Sequence, residues 1–83
     1  MTGQRLDKWL WCARMAKTRP AATRLIADGR VRINGERVRK PSRLVQLGDV
    51  ITATPHGRLV DWRVLKAAER RGPASLARML YED

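Results

Sequence analysis

Residues Arg30 to Lys40 read Arg-Val-Arg-Ile-Asn-Gly-Glu-Arg-Val-Arg-Lys, with Asn34-Gly35 between two short alternating runs. Asparagine and glycine tolerate positive φ values, so this dipeptide predicts a two-residue type I′ turn and a β-hairpin. The turn also fixes which residues face each other across the hairpin. The predicted pairs are Ile33 with Glu36, Arg32 with Arg37, Val31 with Val38, and Arg30 with Arg39.

The two faces of this hairpin differ in charge. Strand alternation places Val31, Ile33 and Val38 on the inner face. The outer face carries four arginines, which are Arg30, Arg32, Arg37 and Arg39. Like charges directly opposite each other destabilise a sheet. Any one of these side chains could extend into water, but four on one face indicate an anion that binds there.

The positive charge is concentrated in the first half of the chain. The 83 residues carry 18 basic and 8 acidic side chains, a net charge of +10, and residues 5–43 account for +9 of it. Arginine outnumbers lysine 14 to 4. Because the planar guanidinium suits bidentate phosphate contacts and stacking on bases, this bias favours nucleic acid over a membrane surface as the partner.

The sequence lacks the marks of a secreted or membrane protein. No apolar run approaches the roughly 20 residues of a membrane-spanning helix, and no signal peptide precedes the first amphipathic segment. The single cysteine, Cys12, excludes an internal disulfide. We therefore expect a cytoplasmic protein with no membrane partner.

The first helix is predicted over residues 5–17, where apolar residues recur with helical spacing. These residues are Leu6, Trp9, Leu10 and Ala13. Thr2 or Gly3 is the candidate N-cap. Trp11 and Met15 fall on the opposite side of the helix, so we expect a second surface to bury them, in preference to a nucleobase that stacks on Trp11.

A second helix is predicted from about Arg19 to Asp28. Thr18 is a good N-cap, and Pro20 is tolerated in a first turn because its missing N–H has no helical partner there. Gly29 ends the helix, where a left-handed residue is required. Arg24 projects away from the apolar stripe of this helix.

The rest of the chain predicts a small sheet and one more helix. Pro41 ends the second hairpin strand, and further strands are predicted at residues 50–54 and 59–65. A short helix is predicted over residues 73–81, placed to cover the first helix. Residues expected to return to the core are Leu44, Val45 and Leu47. The expected fold class is α+β, with two N-terminal helices packed on a small antiparallel sheet and a short C-terminal helix.

Catalytic chemistry is not indicated. His56 lies in a Pro-His-Gly turn without a nucleophile implied by spacing, and Cys12 is better explained as a small core residue. The sequence has no phosphate loop, dinucleotide fingerprint or metal-ligand spacing. We expect a protein that is not an enzyme and that uses no cofactor, no metal and no small-molecule substrate. Asp7 is expected to hold a neighbouring arginine, such as Arg14 or Arg19.

The basic positions define a candidate binding surface. A helix pair followed by a basic hairpin is expected to present one continuous concave positive surface, which suits phosphate backbones and recognition of RNA shape. The candidate RNA-binding residues are Arg5, Lys8, Lys17, Thr18, Arg19, Arg24, Arg30, Arg32, Asn34, Arg37, Arg39, Lys40 and Ser42.

An ordered series of short motifs resembles the S-four RNA-binding domain, named after the fourth small-subunit ribosomal protein. The matching residues are Arg5-Leu6-Asp7-Lys8-Trp9-Leu10, Lys17-Thr18-Arg19, Gly29-Arg30-Val31, Ile33-Asn34-Gly35, Lys40-Pro41-Ser42 and Gly48-Asp49. The resemblance covers roughly residues 5–54 and implies that fold and RNA binding. We expect residues 1–83 to form a single RNA-binding domain, with the core motif in residues 5–54 and with sheet completion and the short helix in residues 55–83.

A second resemblance, to the heat shock protein 15 family, extends over almost the whole chain. The matching residues are Asp7-Lys8-Trp9-Leu10-Trp11, Ala13-Arg14, Lys17-Thr18-Arg19, Arg70-Arg71-Gly72-Pro73-Ala74-Ser75 and Leu80-Tyr81-Glu82. It implies a ribosome-associated protein whose partner is large-subunit ribosomal RNA. The task proposed for that family is the rescue of stalled large subunits that still carry a nascent peptidyl-tRNA.

Two other functions stay open at this point. Two short helices joined by a tight turn are typical of helix-turn-helix DNA-binding proteins, with Thr23 and Arg24 as the candidate base-reading side chains. The lack of a catalytic constellation also fits an accessory RNA-binding domain detached from an RNA-modifying enzyme.

Overall fold

The structure, a computed structural model, describes residues 3–83 apart from the side chain of His56, so the predicted capping role of Thr2 lies outside the described residues. The predicted α+β class is confirmed. The elements follow in the order β1 (Gln4–Arg5), α1 (Leu6–Cys12), α2 (Arg19–Ala27), β2 (Val31–Ile33), β3 (Glu36–Val38), β4 (Leu44–Val45), β5 (Val50–Ala53), β6 (Val60–Val64), α3 (Ala74–Ala77) and β7 (Tyr81–Glu82). None of the helices within residues 3–83 is long and apolar enough to cross a membrane.

The hairpin of β2 and β3 forms as predicted. Asn34 (φ 51°) and Gly35 (φ 85°) both have the positive φ values that a type I′ turn requires. The predicted register is confirmed for the pairs Val31–Val38, Arg32–Arg37 and Ile33–Glu36. Arg30 and Arg39 lie just beyond the paired residues. The local turn therefore specified the alignment of both strands.

The hairpin belongs to a five-stranded antiparallel sheet with the strand order β3-β2-β5-β6-β7, and β1 pairs with β4 in a second, two-stranded sheet. The side chain of Asn34 fastens the hairpin turn to the start of β5. Its Nδ2 donates to Asp49 Oδ1 at 3.0 Å, and its Oδ1 accepts from the Val50 N–H at 2.9 Å. These two bonds tie the hairpin turn to the neighbouring strand β5.

The first helix is shorter than predicted. α1 ends at Cys12, and Arg14 adopts the left-handed conformation with φ 64°. The Met15 N–H donates to the Leu10 carbonyl and the Arg14 N–H donates to the Trp11 carbonyl, which together form a Schellman motif. Glycine normally occupies the left-handed position of this motif. Because Arg14 occupies it here, the sequence carries no sign that the helix ends at Cys12.

The second helix agrees with the prediction to within one residue at its end. Thr18 Oγ1 accepts from the Ala21 N–H at 3.1 Å and so caps α2. Pro20 lies in the first turn, and Gly29 follows the helix with φ 77°. Both ends of α2 are thus set by residues with a strong local preference.

The core lies between the two long helices and the inner face of the larger sheet. Leu6, Trp9 and Leu10 of α1 are fully buried. The sheet contributes buried residues that share its inner face, and these are Val31, Ile33, Val38, Ile51 and Val64. The predicted inner face of the hairpin is confirmed. The same alternation turns Arg32 and Arg37 to the face of the sheet that lies away from the helices.

The C-terminal part of the chain differs from the prediction. The helix expected over residues 73–81 is a single turn, α3, followed by a 3-10 turn at Arg78–Leu80 and by the edge strand β7. Its apolar residues Leu76 and Met79 do not cover the first helix, since each is 51% exposed. Tyr81 and Glu82 form the strand β7 and not the end of a helix, because they pair with the open edge of β6.

Two leucines after the hairpin also lie outside the core. Val45 is fully buried as expected, whereas Leu44 and Leu47 are 49% and 52% exposed. Because side chains alternate along β4, Val45 points inward and Leu44 outward, while Leu47 lies beyond β4 in a turn. The expectation that all three residues return to the core was therefore wrong for the two leucines.

Residues 66–72, which we call the connector, run along α1 and are bound by side chains of the N-terminal segment. Gln4 Oε1 accepts from the Ala68 N–H at 2.9 Å, and its amide donates to the Ala68 carbonyl. The buried indole of Trp9 donates from Nε1 to the Lys66 carbonyl at 3.0 Å. The connector is consequently an ordered part of the fold, although it has no helix or strand.

The connector, rather than the last helix, covers Trp11. Arg71 donates from Nε to the Trp11 carbonyl at 3.1 Å, and its guanidinium carbon lies 5.9 Å from the centre of the Trp11 ring. Met15 is buried elsewhere, beside Ala21 and Leu25 of α2. The expected burial of Met15 is correct, but the expected covering element is not.

Candidate nucleic-acid interface

A buried carboxylate organises the cations at the start of both long helices. Asp7 is only 3% exposed. It accepts from Arg5 Nη2 and Nε at 3.0 and 3.2 Å, and from Arg19 Nη2 at 3.4 Å. The side chains of Arg5 and Arg19 remain 52% and 41% exposed. One acidic group therefore positions two guanidinium groups that still face solvent.

The pKa of Asp7 reflects these contacts. Burial of the carboxylate raises its pKa, but the hydrogen bonds from Arg5 and from the Lys8 N–H, with the charges of Arg19 and Arg5, leave the pKa below its ordinary value. Asp7 is consequently a carboxylate at neutral pH. The prediction that Asp7 holds Arg19 is confirmed, whereas Arg14 instead donates from Nε to the Gly72 carbonyl at 3.1 Å.

The segment that follows the hairpin lies against the start of α1. The Leu6 N–H donates to the Arg43 carbonyl at 2.8 Å, and the Asp7 N–H donates to the Pro41 carbonyl at 3.2 Å. These bonds satisfy two of the free N–H groups that every helix start carries. They also bring residues 40–43, with the candidate residues Lys40 and Ser42, next to Arg5.

We refer to Arg5, Lys8 and Arg19 as the helix-end cluster. Lys8 is half-buried on α1 and follows Asp7 directly. Lys17 and Thr18 are exposed in the turn that leads into Arg19, and the Thr18 hydroxyl is already used as the cap of α2. The structure thus brings together the candidate residues from the two helix starts and from the segment after the hairpin.

A second group of candidate residues lies on the opposite side of the sheet. Across four neighbouring strands the register aligns one row, which is Arg37, Arg32, Thr52 and Asp61. Thr52 Oγ1 donates to Asp61 Oδ1 at 2.6 Å, so this carboxylate is turned towards the threonine. Arg30 and Arg32 line a shallow hollow together with Thr52. We call Arg30, Arg32 and Arg37 the outer sheet face.

The single continuous surface expected from the sequence is therefore divided. The helix-end cluster lies where α1 and α2 begin, whereas Arg32 and Arg37 point away from the helices. Arg39 belongs to neither part, because its guanidinium lies against Gly29 at the C-terminal end of α2, where an added Cβ would be 3.0 Å from Arg39 Cζ. A cation at this helix end also interacts favourably with the helix dipole.

Two other candidate residues stand apart from both groups. Arg24 is exposed on α2, on the side away from its buried residues Ala22 and Ile26. The Asn34 side chain is engaged with Asp49 and the Val50 N–H in the fold itself. Sequence reasoning missed Arg71, whose place on Trp11 depends on the path of the connector, and it also missed Arg5 as the main partner of Asp7.

Groups with catalytic or metal-binding potential are sparse. Burial raises the pKa of the Cys12 thiol more than the nearby charges of Lys8, Arg19 and Arg71 lower it, so the thiol stays protonated. In the part of the chain that the structure describes, no three His, Cys, Asp or Glu side chains come together in a group that could hold a metal ion. The cationic groups are the chemically distinctive feature of the described surface.

Comparisons with known proteins agree with this architecture. The model of the S4 domain family matches residues 4–51. A heat shock protein 15 homolog from Aeromonas salmonicida is 44% identical over 82 residues, which are 99% of this chain and 61% of the relative. The small ribosomal subunit protein uS4 of Aquifex aeolicus is 35% identical over 80 residues, 96% of this chain and 37% of that protein.

A solved structure shows the same fold. The trimeric structure of Vibrio cholerae heat shock protein 15 matches with a TM-score of 0.91 and 39% sequence identity, covering 96% of this chain and 80% of that chain. The curated heat shock protein 15 relatives are longer, and this chain spans about 60% of their length.

Proposed function

This chain belongs to the S4-domain family and, within it, to the heat shock protein 15 family, and from that membership we propose that it is a non-enzymatic protein that binds structured ribosomal RNA. The S4-domain match at residues 4–51 includes every residue of the helix-end cluster and of the outer sheet face. The similarity to a ribosomal protein of the uS4 family supports an RNA partner that belongs to the ribosome.

The observation that carries this proposal is the pair of guanidinium groups held by Asp7. A fixed guanidinium loses less rotamer entropy when it binds a phosphate than a free one does. Arg5 and Arg19 each retain N–H groups that Asp7 does not use. These two prepositioned guanidinium groups, together with the exposed Lys40 beside them, form a surface suited to an RNA backbone. Such a surface would recognise the phosphate spacing and A-form shape of the RNA.

The mechanism is electrostatic capture followed by positioning. The net charge of +10 attracts RNA, and the fixed arginines then select a backbone geometry. Binding by ion pairs with phosphates releases counterions, so the affinity should fall steeply as salt increases. A labelled RNA stem-loop titrated at several salt concentrations tests this. An affinity that does not depend on salt would contradict the mechanism.

Competition between duplex DNA and a structured RNA tests the nucleic-acid class. The helix-turn-helix alternative predicts preference for the DNA, with loss of binding when Arg24 is replaced by glutamine. The proposal predicts preference for the RNA, because most candidate cations lie outside α2. A preference for duplex DNA at matched salt would overturn it.

Within the ribosome we propose the large subunit as the partner, with the rescue of stalled subunits that carry nascent chains as the task. The support is membership of the heat shock protein 15 family, together with the resemblance of residues 70–75 and 80–82 to that family. Crosslinking in cells, followed by sequencing of the attached RNA, provides the test. Enrichment on large-subunit ribosomal RNA is expected, and a scatter over messenger RNA would remove the large-subunit assignment.

We also propose that residues 1–83 act as one domain rather than as a core motif with a dispensable extension. The buried indole of Trp9 needs the Lys66 carbonyl, and β5 needs β6 along its second edge. A fragment that ends at residue 54 should therefore show no cooperative unfolding transition, whereas the full chain should show one. A fragment that folds cooperatively would contradict this proposal.

A further inference from the structure

Arg71 lies outside the S4-domain match yet reaches the exposed side of α1. Its Nε donates to the Trp11 carbonyl at 3.1 Å, and the guanidinium is 5.9 Å from the centre of the Trp11 ring. The carbonyl belongs to the last turn of α1, where a cation is favoured by the helix dipole. The ring adds a cation–π attraction. Two independent contacts therefore hold this guanidinium in one place.

Part of this guanidinium is left for a ligand. Arg71 uses Nε within the protein, and its Nη1 and Nη2 make no hydrogen bond in the part of the chain that the structure describes. Arg71 also forms no ion pair with the carboxylates of the described residues. The two terminal nitrogens are the pair that would bind an anion.

Arg71 lies near one member of the helix-end cluster, Lys8. Lys8, Trp11 and Cys12 lie three and four residues apart on α1, so Lys8 neighbours both the ring and the thiol. The charges of Lys8, Arg19 and Arg71 all act on the Cys12 thiol. Lys8 and Arg71 thus approach the Trp11 side of α1 from two separate segments, the helix itself and the connector.

We propose that Arg71 and Lys8 bind one phosphate of the RNA backbone, so that the connector extends the RNA-binding surface beyond the S4 domain. This inference rests on the proposed function. It adds a residue from a segment that the S4-domain match does not include. Trp11 is then a positioning residue, which keeps the guanidinium of Arg71 in place for the phosphate.

The test measures the affinity of the full chain for a fluorescein-labelled RNA stem-loop by anisotropy at several salt concentrations. Arg71→Gln and Lys8→Gln should each weaken binding, by about tenfold for the arginine, which is the typical loss for a charge-assisted hydrogen bond. Because both residues bind the same phosphate, the double variant should lose only one phosphate contact. Its log–log salt slope should therefore be shallower by roughly 0.9, and not by twice that value.

Arg70→Gln is the matched control, because Arg70 is the exposed neighbour and its removal changes the net charge equally. Its affinity and salt slope should stay close to those of the parent. Thermal unfolding of each variant separates binding from folding, since Lys8 makes no side-chain hydrogen bond within the described residues. If Arg71 only stabilises the fold, Arg71→Gln should melt at a lower temperature, while Lys8→Gln should bind RNA as tightly as the parent. That result would contradict the proposed phosphate site.

The results distinguish this inference from the proposed function. A parent that binds RNA, with Arg71→Gln equal to Arg70→Gln in affinity and slope, overturns the phosphate site and leaves the proposed function standing. Weaker binding by the Arg71→Gln/Lys8→Gln double variant with an unchanged salt slope also overturns it, since no phosphate contact is then lost. A parent that does not bind structured RNA removes the proposed function itself.

Discussion

Replacement of Arg32 and Arg37 by glutamine should weaken RNA binding and slightly stabilise the protein. The two arginines are directly opposite each other on the outer sheet face. If the two guanidinium groups were as close as the Cβ atoms of such a pair, about 5 Å, their charges in water would repel by at most roughly 0.8 kcal/mol. Screening at physiological salt reduces this to about half. The double variant should therefore melt higher than the parent, by at most about 2 °C.

The effect on binding should have the opposite sign. If each arginine contacts one phosphate, the double variant loses two contacts, and its log–log salt slope becomes shallower by about 1.8. At 0.1 M salt the same relation corresponds to roughly 60-fold weaker binding. Fluorescence anisotropy with a labelled RNA stem-loop, repeated at several salt concentrations, measures both quantities.

A double variant with the same loss of charge provides the control. Arg58 and Arg78 are exposed and lie outside the candidate interface, so their replacement by glutamine should change the slope much less. Equal losses in the two double variants would mean that only net charge matters. Binding by the Arg32/Arg37 variant that equals the parent at matched salt would refute the assignment of the outer sheet face to RNA.

Three further substitutions test how the interface is held in place. Asp7→Asn should lower the free energy of unfolding by about 2 kcal/mol. Because the pKa of Asp7 is lowered in the folded protein, the unfolded state binds more protons, and the parent should lose this stabilisation below about pH 4 whereas the variant should not. Urea unfolding at several pH values measures the difference. Gly29→Ala should lower the free energy of unfolding by roughly 1–2 kcal/mol, because φ at this position is 77°, a value that alanine adopts only with strain. The nearby end of the Arg39 side chain can move aside and adds little to this loss. An unchanged melting temperature would contradict this prediction. Thr18→Ala should cost about 1 kcal/mol through loss of the α2 cap, whereas Thr23→Ala, inside the same helix, should cost less in the same melting experiment.

Features set by neighbouring residues were predictable from the sequence. The Asn34-Gly35 turn determined the hairpin register, and Thr18 and Gly29 determined the ends of α2. These are short-range effects in which one or two residues have a strong conformational preference. The inner face of the hairpin followed from the register, because side chains alternate along a strand.

Features that depend on distant segments were not predictable in this way. The left-handed Arg14 is held by a Schellman motif that carries no glycine, and β7 exists because β6 has a free edge. The division of the candidate surface arises because the helices pack on only one face of the sheet. The hairpin arginines therefore lie away from Arg5 and Arg19, although all of them belong to one stretch of high positive charge.

The bonds from Gln4 and Trp9 to the connector bear on the order of events during synthesis. The partners of these two residues, Ala68 and Lys66, are made about 60 residues later. The basic half of the chain thus leaves the ribosome before the segment that completes its fold. Domains generally fold as units during translation. The arginines of this protein should accordingly reach their final arrangement only after the connector has been made, so newly made chains become competent for RNA binding in one step.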